Sequence, residues 1–369
     1  MRGLAQGEQS TAETPVLQLL VRSGELLTDL VSGTYRIEDI HDPTAVPVVK
    51  VLEAPIDIVT QKLSTGRYVI LTGATAAWSY GTHRAICSYK LSAAGRTYYQ
   101  VIEFEVLNPT DWPVSRSYVG YASTAKLIGD GYVGATTTPQ SLHRHVARIS
   151  RQIEQWTGRF FDARYQARRL DGAPDATLHR MAVPLIALEL VQCIYKTSEN
   201  VEQTYDYDSS LIQVYNRHLD GLLSPDDRER PRIVRLDSLP WPNDQASLKV
   251  TGVFGYTDPE LSDGDDRTGI GQTPDILVQV VGSLLYRYLQ DPTLSNPTVQ
   301  QASNLKSMKT RDQAVTFGVS DQGFVSFMTG DSTLDRILIQ LSAPPSLAYA
   351  GRRFGEEEFD MPDTENFET

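Results

Sequence analysis

The chain has 369 residues, 40% of them hydrophobic and 22% charged, and its 46 acidic and 34 basic side chains give a formal net charge of −12. Seven of the acids (Glu356, Glu357, Glu358, Asp360, Asp363, Glu365 and Glu368) fall in Gly355–Thr369, which holds no Lys or Arg; −12 less that −7 leaves −5 for the other 354 residues. A near-neutral body with an acidic tail lacks the net basic face that general phosphate neutralisation needs, which argues against a nonspecific nucleic-acid binder.

Residues 14–108 read as strands. Val16–Val21, Gly66–Leu71, Ala85–Lys90 and Thr97–Val106 are rich in β-branched and aromatic residues, and Gly24, Gly33, Gly66, Gly73, Gly81 and Gly95 punctuate them. Short strands, repeated turns and a span of about 95 residues predict a β-sandwich of immunoglobulin-like size, without the Cys-Trp-Cys core of antibody domains. Asn108–Pro113, with Pro109 and Pro113, breaks the pattern, and 109–137 is expected to be a linker.

A helix opens the second domain, 138–342. Thr138 suits an N-cap and Pro139 the first helical position. Leu142, Val146, Ile149, Ile153, Trp156 and Phe160 follow at spacings of 4, 3, 4, 3 and 4, one continuous apolar face, with Gly158 as the stop. The opposite face carries Arg144, Arg148 and Arg151. Arg168–Gly172 predicts a strand entering a turn, and Ala182–Tyr195 a strand in preference to a helix. Leu248–Tyr256 alternates as a strand, and Asp258–Gln272 reads as an acidic loop. A second helix is expected from Pro274, capped by Thr273. Its stripe is wide (Ile276, Leu277, Val280, Val281, Leu284, Leu285, Tyr288, Leu289), and Asp291-Pro292 ends it. Ala314–Val319 and Phe324–Phe327 flank Ser320–Gly323 as an expected hairpin. A last helix starting at Asp331 or Ser332 places Leu334, Ile337, Leu338 and Leu341 on one face. Residues 343–369 are expected to be extended until bound.

No apolar run approaches the roughly 20 residues that span a bilayer, so no membrane partner is expected. Met1–Glu13 is polar and shows no signal-peptide core. Cys87 and Cys193 are expected to be separate reduced thiols, as suits folding in the cytosol. His143 and His145 point about 200° apart on a helix, cannot share a metal, and read as solvated. Asp258–Asp266 lacks the register and final glutamate of a calcium loop. Gly269-Ile270-Gly271 is a fragment of a dinucleotide fingerprint with no βαβ unit before it, and no hydrolase, Walker or zincin motif occurs. No enzyme, cofactor or metal site is expected. One charge feature stands out. Arg144, Arg148, Arg151, Arg159, Arg164, Arg168, Arg169 and Arg180 face only four acids between 144 and 180, an excess of +4. Arginine suits bidentate pairing with carboxylates or phosphates, so this stretch reads as a solvated face or as an interface to an acidic partner.

The segments resemble, in order, the head-tail connector (adaptor) proteins of tailed bacteriophages. Ile153-Glu154-Gln155-Trp156-Thr157-Gly158-Arg159-Phe160-Phe161 resembles their helix followed by Thr-Gly-Arg-x-Phe. Arg169-Leu170-Asp171-Gly172 is similar to their next strand and turn, and Val183-Pro184-Leu185-Ile186 to their proline-containing strand. Trp241-Pro242 with Val250–Tyr256 looks like their late strand, Pro274-Asp275-Ile276 like the start of their core helix, and Asp335–Leu341 like their terminal helix. The likeness covers roughly 139–350.

The expected fold is α+β: the N-terminal immunoglobulin-like sandwich, a departure that the family pattern does not explain, then, as the resemblance implies, a mixed helical-bundle and β-hairpin adaptor domain with an extended tail. The resemblance implies a non-enzymatic ring, dodecameric in the family, that sits beneath the portal protein in the virion neck. Copies of the chain, the portal and a downstream stopper or tail-terminator protein would be its partners. Genomic DNA would pass through the channel without sequence-specific contact, and assembly would occur in the host cytoplasm. Arg144, Arg148, Arg151, Arg159, Arg352, Arg353, Phe354, Glu356, Glu357, Glu358 and Phe359 are the expected subunit or portal contacts. The alternatives are a tail-completion or baseplate protein, a glycan- or host-binding module using exposed rings among Tyr68, Trp78, Tyr80, Tyr98 and Tyr99, and a hydrolase or metal enzyme using Asp258–Asp266.

Overall fold

Through residue 107, runs of β-branched and aromatic side chains alternate with turn residues, and each run becomes a strand. The structure, a computed structural model, describes residues 1–41, 49–73, 75–116, 118–134, 137–171, 178–181, 183–196, 201–215, 231–242, 247–258, 270–290, 307–309, 314–316, 329 and 331–342. The strands of this first part are β1 (Arg2–Ala5), β2 (Gln18–Leu20), β3 (Arg22–Ser23), β4 (Leu26–Leu27), β5 (Ser32–Asp39), β6 (Val49–Pro55), β7 (Lys62–Ser64), β8 (Arg67–Val69), β9 (Gly81–Lys90) and β10 (Tyr98–Leu107). One sheet has the order β1-β10-β9-β5-β6, antiparallel except that β1 runs parallel to β10. A smaller antiparallel sheet has the order β2-β8-β7. Leu4, Leu19, Ile37, Tyr68, Cys87 and Phe104, drawn from both sheets, share one buried core. Burial pushes the Cys87 thiol up to about 12, and both cysteines are free. The strand at Arg2–Ala5 lies upstream of residue 14, where the sandwich was expected to begin.

The second part begins earlier than residue 138. The helices are α1 (Thr124–Gly129), α2 (Pro139–Thr157), α3 (Asp275–Gln290) and α4 (Ser332–Leu341). α1 lies inside the expected linker. Tyr121, Ala122 and Leu127 are buried in the core that α2, α3 and α4 build, so part of 109–137 is body, not tether. The remaining strands are β11 (Arg164–Leu170), β12 (Leu178–Arg180), β13 (Leu185–Lys196), β14 (Glu202–Tyr207), β15 (Ile212–Tyr215), β16 (Arg232–Arg235), β17 (Leu248–Phe254), β18 (Ser307–Lys309) and β19 (Ala314–Thr316). The main sheet here runs β11-β17-β13-β4-β3, with β14 also on β13; β12-β16-β15 form a second. Leu185, Leu188, Val191, Val214, Ile233 and Trp241 lie in the core they enclose. The chain is thus α+β.

The two parts interlock. The β3–β4 hairpin leaves the sandwich and joins the other sheet, where Leu26 pairs with Leu188. Leu188 N donates to Glu25 O (2.8 Å), and Val214 N donates to the Glu25 carboxylate (2.8 Å). The Arg67 guanidinium of β8 lies 3.4 Å from the Tyr165 ring centroid on β11.

Ala314–Thr316 forms a strand, but it pairs with Ser307–Lys309, upstream of it. Residues 317–328, with the expected Ser320–Gly323 turn, lie outside the described residues, as do 259–269 of the acidic loop. α4 starts as expected, with Asp331 accepting from Thr333 N (2.9 Å) and Leu334 N (3.3 Å). α3 buries Leu277, Val280, Val281, Leu284, Leu285 and Tyr288, but Ile276 and Leu289 face solvent. Their stripe is wider than the surface α3 covers.

Candidate assembly surface

α2 sorts its side chains by period. Leu142, Val146, Ile149 and Ile153 are buried, as the 4-3-4 spacing requires. Gly158 ends the helix at φ 68°, a left-handed conformation that returns its N–H to Glu154 O. The reversal takes the next residues off the helical face. Phe160, expected to extend that face, instead packs in the core under the main sheet.

The reversal also turns Arg159 inward, which corrects its assignment to the surface set. Arg159 is 2% exposed, lies 4.7 Å from the Tyr256 ring centroid, and donates to Leu341 O (3.3 Å) at the last turn of α4. It satisfies a helix-end carbonyl, where a cation is favoured by the helix dipole.

Other arginines of the 144–180 excess are also occupied. Arg164 binds Asp162 (2.8 Å) and Glu154. Burial alone would lower this guanidinium's pKa, but Asp162 and Glu154 outweigh it and hold the group above its ordinary value. Arg168 lies over the Phe160 and Phe254 rings, and burial, then Arg164, lowers it. Arg169 binds Glu202 (2.9 Å). α2 presents Arg144 and Arg151 outward, with Arg148 half-buried between them; the Arg144 side chain is 65% exposed and bound to Asp111 at 2.8 Å. An exposed pair of that kind contributes at most about 1 kcal/mol. The one acid on α2, Glu154, is turned to Tyr121 Oη (2.6 Å) and Arg164, so α2 itself contributes only basic side chains to its outer face, where Asp111 meets Arg144.

His143 is not solvated. It is 1% exposed, and its Nε2 lies 2.9 Å from Glu105 Oε2 on β10. Glu105, also enclosed, accepts from Thr82 Oγ1 (2.7 Å) on β9 and from Thr124 N (2.8 Å) at the start of α1. Burial by itself would raise the Glu105 carboxyl; His143, Thr124 and Thr82 more than offset it and hold the group below the usual range. The cluster joins the sandwich to two helices. Its signal in sequence is weak, because His143 sits between Leu142 and Arg144 at the edge of the apolar stripe.

Of the candidate glycan-binding rings, Tyr68, Trp78, Tyr80 and Tyr98 pack on the sandwich core, and Tyr99 is exposed. A cleft of about 190 Å³ lies at the junction of the two parts, lined by Arg2, Tyr99, Glu103, Lys126, Asp162 and Gln272 among others. That is below the roughly 300–1,000 Å³ usual for small-molecule sites. Burial raises the Glu103 carboxyl there. Among the described residues, no group of three or more His, Cys, Asp or Glu side chains is placed to hold a metal ion, and no helix is long and apolar enough to cross a membrane. Arg352, Arg353, Phe354, Glu356, Glu357, Glu358 and Phe359 lie outside the described residues.

No protein-family model matches the sequence, and no curated protein matches it.

Proposed function

We propose that the protein is a structural neck component of a tailed phage: a ring beneath the portal that joins head to tail and extends the DNA channel. The observation that carries this reading is the ordered series of connector-like segments. They fall on α2, β11, β13, β17, α3 and α4, in the order the resemblance implies. The basic outer face of α2 and the acidic tail offer opposite charges for register between copies or with the portal. A net acidic chain is also suited to conducting DNA without holding it.

The sandwich supports the immunoglobulin-like part of the reading. β10, β9, β5 and β6 stand as strands G, F, C and C′ of a variable-type domain, with β1 added beside G, and β2, β8 and β7 stand as B, E and D. Tyr35 on β5 fills the core where antibody domains carry tryptophan, and Cys87 on β9 meets no cysteine on β2. Image reconstruction of purified virions tests the function. Density for this chain in a ring under the portal is expected; its absence from the neck, or its presence at the tail tip, sinks the reading.

A further inference from the structure

β10 is covered unevenly along its outer edge. β9 pairs with it from Tyr98 to Val106, but β1, its neighbour on the other side, reaches only from Phe104 to Leu107. From Tyr98 to Glu103, the alternate N–H and C=O groups that point away from β9 have no backbone partner among the described residues. A strand edge left open in this way is a template for one more strand. The cleft at the junction of the two parts lies along this edge, in line with β1, and Tyr99, Gln100, Ile102 and Glu103 line it.

Two side chains there lack partners. Gln100 is 7% exposed, and its side-chain oxygen accepts no hydrogen bond among the described residues. An enclosed acceptor calls for a donor. Glu103 opens into the cleft without an ion pair among the described residues. Lys126 and Arg84, the cations whose charge it feels, are engaged elsewhere: Lys126 binds Asp275, and Arg84 binds Glu38 at 2.8 Å. The other charges on the cleft wall are also held. Arg164 binds Asp162 (2.8 Å), Arg2 donates to Val16 O (2.6 Å), and the Met1 amine donates to Gly120 O (2.8 Å).

The cleft therefore suits an extended backbone with small side chains, to match its volume of about 190 Å³, and one cation beside Glu103. The chain carries all three. α4 ends where Leu341 O accepts from Arg159, and contacts lead from Arg159 through Tyr256 and Phe161 to Tyr121 on the cleft wall. That path measures about 20 Å, and the eleven residues 343–353 reach up to about 36 Å when extended. Within them Ala348 and Ala350 alternate with Leu347 and Tyr349, no proline follows Pro345, and Arg352-Arg353 comes last. We propose that residues 347–353 of the same chain lie in the cleft as a strand added to β10, with the arginine pair at Glu103. Main-chain bonds hold such a strand, and a guanidinium meets a carboxylate as a planar fork. The contact ties the end of the second part to the sandwich and does not depend on the chain's place in a virion.

Amide hydrogen exchange tests it. A chain ended after Ser342 is expected to exchange the outward amides between Tyr98 and Glu103 about tenfold or more faster than the full chain, while those of β9 keep their rates. Glu103→Lys, or Arg352→Glu with Arg353→Glu, should release the same amides, and all three substitutions together should restore the protection. The protection should hold from about 1 to about 100 μM chain, as an intramolecular contact does. Equal exchange in the full and shortened chains overturns the inference, as does release that the triple variant fails to reverse. Protection that fades on dilution overturns it too, and assigns the cleft to the segment of a second copy.

Discussion

Replacing His143 by leucine leaves Glu105 enclosed between β10, α1 and α2 without its 2.9 Å partner. The carboxylate keeps its bonds from Thr82 Oγ1 (2.7 Å) and Thr124 N (2.8 Å), so it is stripped only in part. A buried carboxylate that loses one hydrogen-bond partner costs about 1.5–3 kcal/mol, and the surviving bonds set the expected loss near the middle, about 2 kcal/mol. Adding Glu105→Gln to His143→Leu should recover part of that loss. The amide oxygen still accepts from the threonines, and no charge is stranded. Urea unfolding at neutral pH, read as ΔG at unchanged slope, measures both. A loss under about 1 kcal/mol for His143→Leu, or a double variant worse than the single, would refute the reasoning. The pH dependence gives an independent check. Because Glu105 is held below its ordinary value, the unfolded chain takes up that proton first as pH falls. Its contribution is complete above the unfolded carboxyl value of about 4.3 and is lost as pH drops through the folded value. Glu105→Gln should therefore show a shallower loss of stability below about pH 4.5 than the native chain.

Arg159→Met removes the donor to Leu341 O and the contact with Tyr256, and should cost about 2–3 kcal/mol, seen as earlier proteolytic cleavage around α4. Gly158→Ala has open space for its Cβ and pays only the left-handed backbone, about 1–2 kcal/mol. Gly255→Ala would set its Cβ 2.3 Å from Asp162 O and should cost clearly more in thermal melts; equal losses would refute the steric account. Deleting Gly355–Thr369 should leave the melting of the body unchanged while impairing incorporation into particles; normal incorporation would reduce the tail to a solubilising end.

What the amino-acid order determined by itself is what depends on near neighbours. The 4-3-4 spacing, Pro139 and Gly158 placed α2 and its outward arginines. Asp331 placed the start of α4, and alternation placed β17. These are one-element properties, set by the rotation per residue and by cap chemistry. Tertiary structure decided everything that depends on where the chain returns. α1 is too short, and its neighbours too rich in Gly, Ser and Thr, to show a period, yet Tyr121 and Leu127 belong to the core of α2 and α3. Arg159 reads as one more surface arginine until the turn at Gly158 sends it under α4. His143 reads as solvated until β10 brings Glu105 to it, from 38 residues away. The β3–β4 hairpin, expected inside the sandwich, completes another sheet. Periodicity states which face of an element is apolar; only the packing of distant segments states whether that face is covered.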